Sequence, residues 1–232
     1  EFAGTSGQTI AALNYSNLTS SSTGSRTLAS TGTINISGVF TPGSNTYATT
    51  GSTVNFSGSS QIIPEITSTA GYNNLTITQS AGMASLSGNV KVAGTLNLSS
   101  GNLNLGSGIL TLAGSSAISG SPFSSSKMII ADGGGELRKT FSANSSYLFP
   151  VGDNTGTAEY SPVTLSFSSG TYGSGAYASV KLKNAKHPEN SNTADYINRY
   201  WTIATSLITN PNYSVTATYL DRKSTRLNSS HR

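Results

Sequence analysis

A beat of aliphatic pairs constrains this chain more than any other feature. Val90/Val92, Leu96/Leu98, Leu103/Leu105 and Leu110/Leu112, then Ile118, follow one another at short, regular intervals, with Gly, Ser, Asn and Ala in the gaps. Members of each pair are two residues apart, the spacing at which a strand returns to the same face. A strand this short, followed by a polar turn and another short strand, predicts the wall of a parallel β-solenoid. Each coil then takes about 20 residues, and stacked coils pair their backbones about 4.8 Å apart. Gly88, Gly94, Gly101, Gly106, Gly108 and Gly114 fall where such coils need tight corners. Inward Val, Leu and Ile stack on their equivalents above and below, while outward Ser, Thr and Asn form hydroxyl and amide ladders. About five or six coils are expected in the first half of the chain.

Composition supports a repeat protein more than an enzyme. Only 9% of the 232 residues are charged, against about 25% in an ordinary soluble domain. A Gly/Ser/Thr/Asn-rich chain can be disordered, but a disordered chain has no recurring buried face. The absence of Cys excludes disulfides and thiolate metal sites. No apolar run approaches the ~18 residues of a membrane span. The chain opens in mid-pattern at Glu1, without an initiating Met or a signal segment, so an N-terminally truncated solenoid is expected. The net charge is +4. Most of it lies in residues 221–232, where Arg222, Lys223, Arg226 and Arg232 oppose Asp221. No basic patch remains for a nucleic acid.

Residues 1–120 also show an internal repeat of about 56 residues. Ile34, Ile36, Gly38 and Phe40 align with Val90, Val92, Gly94 and Leu96. Val54, Phe56, Gly58, Ser59 and Ser60 align with Leu110, Leu112, Gly114, Ser115 and Ser116. Tyr15, Asn17 and Leu18 align with Tyr72, Asn74 and Leu75 with one residue of slippage. The character changes near Ser121-Pro122-Phe123. Beyond it, strands are expected at 128–131, 137–142, 147–151, 162–168, 176–183, 197–204 and 213–220, with Trp201 and Ile203 as core anchors. The predicted architecture is all-β: a parallel β-solenoid (β-helix) over 1–121, an antiparallel β-sandwich over 122–220, and a tail at 221–232.

The strings Phe149-Pro150-Val151-Gly152, Tyr160-Ser161-Pro162-Val163-Thr164-Leu165 and Asn198-Arg199-Tyr200-Trp201-Thr202-Ile203 resemble a module of very large Bacteroidetes cell-surface proteins. In those proteins Gly/Ser/Thr/Asn-rich β-solenoid repeats precede a β-sandwich, and a type IX secretion sorting domain often follows. The resemblance covers about residues 70–220. It implies export, an extracellular or cell-surface setting and an adhesin-like structural role, and it brings no catalytic residues. Residues 221–231 resemble a translated sequencing-library adapter, which makes the tail non-native and suggests a metagenomic fragment.

Chemistry is sparse. Residues 1–120 hold only four charged side chains, Glu1, Arg26, Glu65 and Lys91. A pectate-lyase-type site needs an acidic cluster for Ca²⁺ and a base. In the second half Asp132, Glu136, Asp153 and Glu159 read as turn and loop residues. Gly133-Gly134-Gly135 lacks the Lys-Ser/Thr of a phosphate loop. His187 is alone outside the tail, and no Gly-x-Ser-x-Gly elbow occurs. Lys181 and Lys183 read as solvated edge protection. Tyr172 and Tyr177, flanking a Gly-rich turn, are the candidate ligand contacts, since Tyr rings stack on sugars and anchor interfaces. No catalytic residue, metal or cofactor is expected. Glycans or other surface proteins are the expected partners, with no nucleic acid and no membrane insertion. The leading expectation is a non-enzymatic stalk and spacer. The alternative is a carbohydrate-binding accessory module of a larger secreted enzyme.

Overall fold

The computed structural model describes residues 1–194 and 196–219, all β-strand, turn and loop with no helix. Among these residues, no helix is long and apolar enough to cross a membrane. The tail at 221–232, with its adapter resemblance, lies outside the described residues.

The solenoid forms as the aliphatic pairs predict, with about seven turns and three faces. The first face stacks Gln8–Ile10, Arg26–Leu28 and Tyr47–Ala48, then, after a looped fourth coil, Val90–Val92, Ile109–Leu112 and Glu136–Thr140. The second stacks Asn14–Tyr15, Thr33–Ile36, Thr53–Phe56, Asn74–Thr78, Thr95–Ser100 and Ala117–Ser119. The third carries Leu18–Thr19 and Phe40–Thr41, then Ile62–Ile63, Ala84–Leu86, Leu103–Asn104, Ile129–Ile130 and Val151–Asp153. All of these pairings are parallel. Leu75 pairs with Leu96 and Leu96 with Ile118, so one coil takes about 21 residues.

Side-chain columns follow from this register. Ile36, Phe56, Ile77 and Leu98 stack inward without exposed surface, as do Leu103, Ile129 and Val151 on the third face. Outward, Asn35 donates from Nδ2 to Asn14 Oδ1 at 2.8 Å, and Asn55 donates to Asn35 at 2.9 Å. Corner asparagines brace consecutive coils. The Oδ1 atoms of Asn17, Asn74 and Asn89 accept the backbone N–H of Val39, Thr95 and Ile109 at 2.8, 2.8 and 3.0 Å. Some corners leave no room for a side chain. At Gly51 (φ +92°) and Gly120 (φ +108°) an added Cβ would lie 1.8 Å from the Ser30 carbonyl oxygen and 2.0 Å from that of Leu98.

The interior is not wholly aliphatic. Fully buried Arg26 donates to the carbonyls of Gly24, Ser25, Phe2, Gly4 and Ser21. Asn45 next to it donates to Gly24 and Ser22. Gln61 and Gln79 form a second buried polar seam, bonded to each other and to the carbonyls of Ile36, Gly38 and Phe56.

The 56-residue repeat is not a repeat of coils. Ile34/Ile36 and Val54/Phe56 lie on the second face, whereas their matches Val90/Val92 and Leu110/Leu112 lie on the first. The alignment therefore advances two turns and two-thirds of a third. It links strands on neighbouring faces because every face uses the same apolar-x-apolar code.

Parallel pairing also runs through the composition change at 121/122. Leu103 pairs with Ile129, Ile129 with Val151, and Leu110 with Leu137. The segments expected as the first sandwich strands are therefore coils of the same stack. The sandwich itself is not shown. The expected strands at 162–168 and 176–183 are one continuous strand, Val163–Lys183, and those at 197–204 and 213–220 overlap the two ends of another, Tyr200–Ala217, with residue 220 outside the described residues. The two form a long antiparallel hairpin, bulged between Tyr172 and Tyr177. The first hairpin strand covers the end of the stack. It pairs antiparallel with Glu136–Thr140 through Tyr177–Val180 and with Ser146–Phe149 through Val163–Ser166. Ala176, Ala178, Val180, Val163 and Leu165 are fully buried on it. An otherwise unpaired end edge is thus closed.

Candidate functional site

Tyr172 and Tyr177 sit on Val163–Lys183 on either side of the Gly-rich bulge, and they pack against different partners. The Tyr172 hydroxyl donates to Asn144 Oδ1 at 3.0 Å, and its ring stands edge-on to Phe167 at 6.1 Å. Phe167 in turn meets Phe141 at 5.0 Å and Tyr213 at 5.5 Å. Tyr177 instead lies under the Arg138 guanidinium, 4.5 Å from ring centroid to Cζ. Arg138 is also paired with Glu136. The two rings do not form a shared stacking platform.

The carboxylates expected as turn residues have structural partners. Asp153 is fully buried, Glu159 is 5% exposed and Arg199 2% exposed. Arg199 bridges Asp153 Oδ2 at 3.2 Å and pairs with Glu159 as well. Arg199 also donates to Ser161 Oγ, the Trp201 indole N–H donates to the Ser161 carbonyl at 2.9 Å, and Asn184 donates to Asp153 Oδ1 at 3.1 Å. This network ties the end of the third face to the start of Tyr200–Ala217. Two buried carboxylates thus share one buried guanidinium. Asp132 accepts from the Asn154 N–H and the Thr155 hydroxyl. His187 is exposed, its ring 4.9 Å from that of Tyr200. Among the described residues, no group of three or more His, Asp or Glu side chains could hold a metal.

The most site-like feature lies where the second face is interrupted. Ala117–Ser119 is the last strand of its sheet, and Ser146–Phe149 is the terminal strand of another. On the first and third faces the same two coils are joined by ladders. Between the two strand edges lies a groove of about 380 Å³, within the range of ligand sites. Ser116, Ile118, Phe123, Lys139, Tyr147 and Leu148 line it. Lys139 is 5% exposed. Its Nζ donates to the carbonyls of Ala113 and Gly114 at 2.5 and 2.8 Å and lies 5.2 Å from the Tyr147 ring centroid. Burial lowers its pKa to about 8. Burial also pushes the Tyr147 phenol well above its usual range. Ser116 is 3% exposed, and its Oγ has no hydrogen-bond partner.

Neither Lys139 nor Ser116 stands out in the sequence. The alternation Leu137-Lys139-Phe141 carries the signal, since it sets a cation on the inward side of a strand. No family model, curated protein or solved structure matches this chain.

Proposed function

We propose that this chain is a non-enzymatic, adhesin-like structural part of a bacterial cell-surface or secreted protein, with the solenoid as stalk and the hairpin as its terminating spacer. The observation that carries the reading is the stack itself: parallel ladders run from the first coil to Val151–Asp153 and then meet an antiparallel cap. Each coil contacts its neighbours through continuous hydrogen bonds and buried columns, a construction suited to spanning distance and resisting proteolysis. Two of the carboxylates a polyuronate lyase could use, Asp153 and Glu159, are held by the buried Arg199. The carbohydrate-binding alternative rests on open ring faces at Tyr172 and Tyr177, and Arg138 already occupies one of them.

Incubation with neutral glycans and polyuronates, with Ca²⁺ or with a chelator, tests the proposal. We expect no new reducing ends, no unsaturated products and no retained glycan, together with a core that survives native-state protease. Turnover that a chelator abolishes would contradict it. So would glycan retention that is lost in Tyr172→Ala and Tyr177→Ala.

A further inference from the structure

The groove between Ala117–Ser119 and Ser146–Phe149 has features of a binding slot that the stalk reading does not use. Its two walls are strand edges. Ala117–Ser119 spends its pairing on Thr95–Ser100, and Ser146–Phe149 spends its own on Val163–Lys183. Neither has a ladder partner on the other side, and the Tyr147 hydroxyl meets the Ile118 backbone between them. Ala117, Ser119, Ser146 and Leu148 are exposed along these walls. Open edges of this kind accept an extended peptide through main-chain hydrogen bonds.

The floor is charged and polar. Lys139 occupies the inward column of Val92 and Leu112, and no carboxylate pairs with it among the described residues. An ammonium carries three donors, and two of them go to carbonyls. Ser116 Oγ lines the same groove, buried and without a partner. A buried cation met only by carbonyls and a ring face complements an anion. Ile118, Phe123 and Leu148 add apolar rims for side chains flanking that anion.

We propose that this groove binds an extended acidic segment of a partner protein, added as a strand between Ala117–Ser119 and Ser146–Phe149, with a Glu or Asp side chain reaching Lys139 and Ser116. The strand edges set the peptide's direction and register. The buried ammonium selects a carboxylate at one position.

The test uses the whole chain and a fluorescein-labelled peptide of alternating Thr and Val with one central Glu, read by anisotropy. Saturable binding is expected. It should weaken at least about tenfold when the central Glu becomes Gln, and by a similar factor in Lys139→Met. A peptide N-methylated on alternate backbone nitrogens should not bind. Leu148→Glu changes an exposed rim residue and serves should Lys139→Met fail to fold. It should weaken the Glu peptide through like-charge repulsion, and weaken the Gln peptide less. Lack of saturable binding, equal affinity for the Glu and Gln peptides, or undiminished binding of the N-methylated peptide would each overturn the proposal.

Discussion

Lys139 stands in a column that Val92 and Leu112 otherwise fill. The strand period shows it on the side of Leu137 and Phe141, so its inward direction is legible in the sequence. Its partners are not, because Ala113 and Gly114 come from the preceding coil and only the register brings them near. Arg199 is harder still to read. Its partners Asp153 and Glu159 lie 46 and 40 positions away, and local context gives each of them ordinary turn chemistry. Lys139 has a pH consequence. Burial lowers its pKa from 10.5 to about 8, so between those values the unfolded chain binds more protons and stability rises with pH. Tyr47, Tyr72 and Tyr147 act in the opposite sense, as does Tyr160, raised to about 12: burial keeps their phenols protonated after the unfolded chain has lost those protons above pH 10. The unfolding free energy from urea titrations should therefore climb by about 1 kcal/mol from pH 7 to about pH 9 and fall beyond pH 10. Lys139→Met should remove the climb and leave the fall.

The short strands of the solenoid are legible because two apolar residues spaced by two can hardly be read otherwise. Which face each strand joins is not, since all three faces share that code. The alignment of Ile34/Ile36 with Val90/Val92 shows the consequence, crossing from one face to another. The long hairpin strands were legible as strands and not as a hairpin, because Gly173-Ser174-Gly175 reads as a turn and instead forms a bulge opposite Leu207, whose φ is +57°. Ile109–Leu112 offers a direct test of face assignment. Leu110 is fully buried between Val90 and Leu137. Leu110→Asp should cost about 4 kcal/mol or more and lower Tm by roughly 10 °C or more. Its neighbour Thr111 lies between Lys91 and Arg138 on the outward side, so Thr111→Asp should change stability by less than about 1 kcal/mol. Equal melting of the two variants would reverse the inward assignment.

At the scale of the molecule, the composition change at 121/122 marks a change of surface and not the end of the stack. Charges and aromatics arrive because the last coils must meet an antiparallel cap and a salt-bridged return. The parallel ladders pass underneath that change. The most direct test is native-state amide hydrogen exchange resolved by residue. A single stack predicts that the inner strands on both sides of residue 121, Thr95–Ser100 and Ile109–Leu112 with Ile129–Ile130 and Glu136–Thr140, are protected to similar free energies and lose protection together as urea rises. If residues 122–183 opened in a separate transition while the preceding coils stayed protected, the continuous stack would be contradicted.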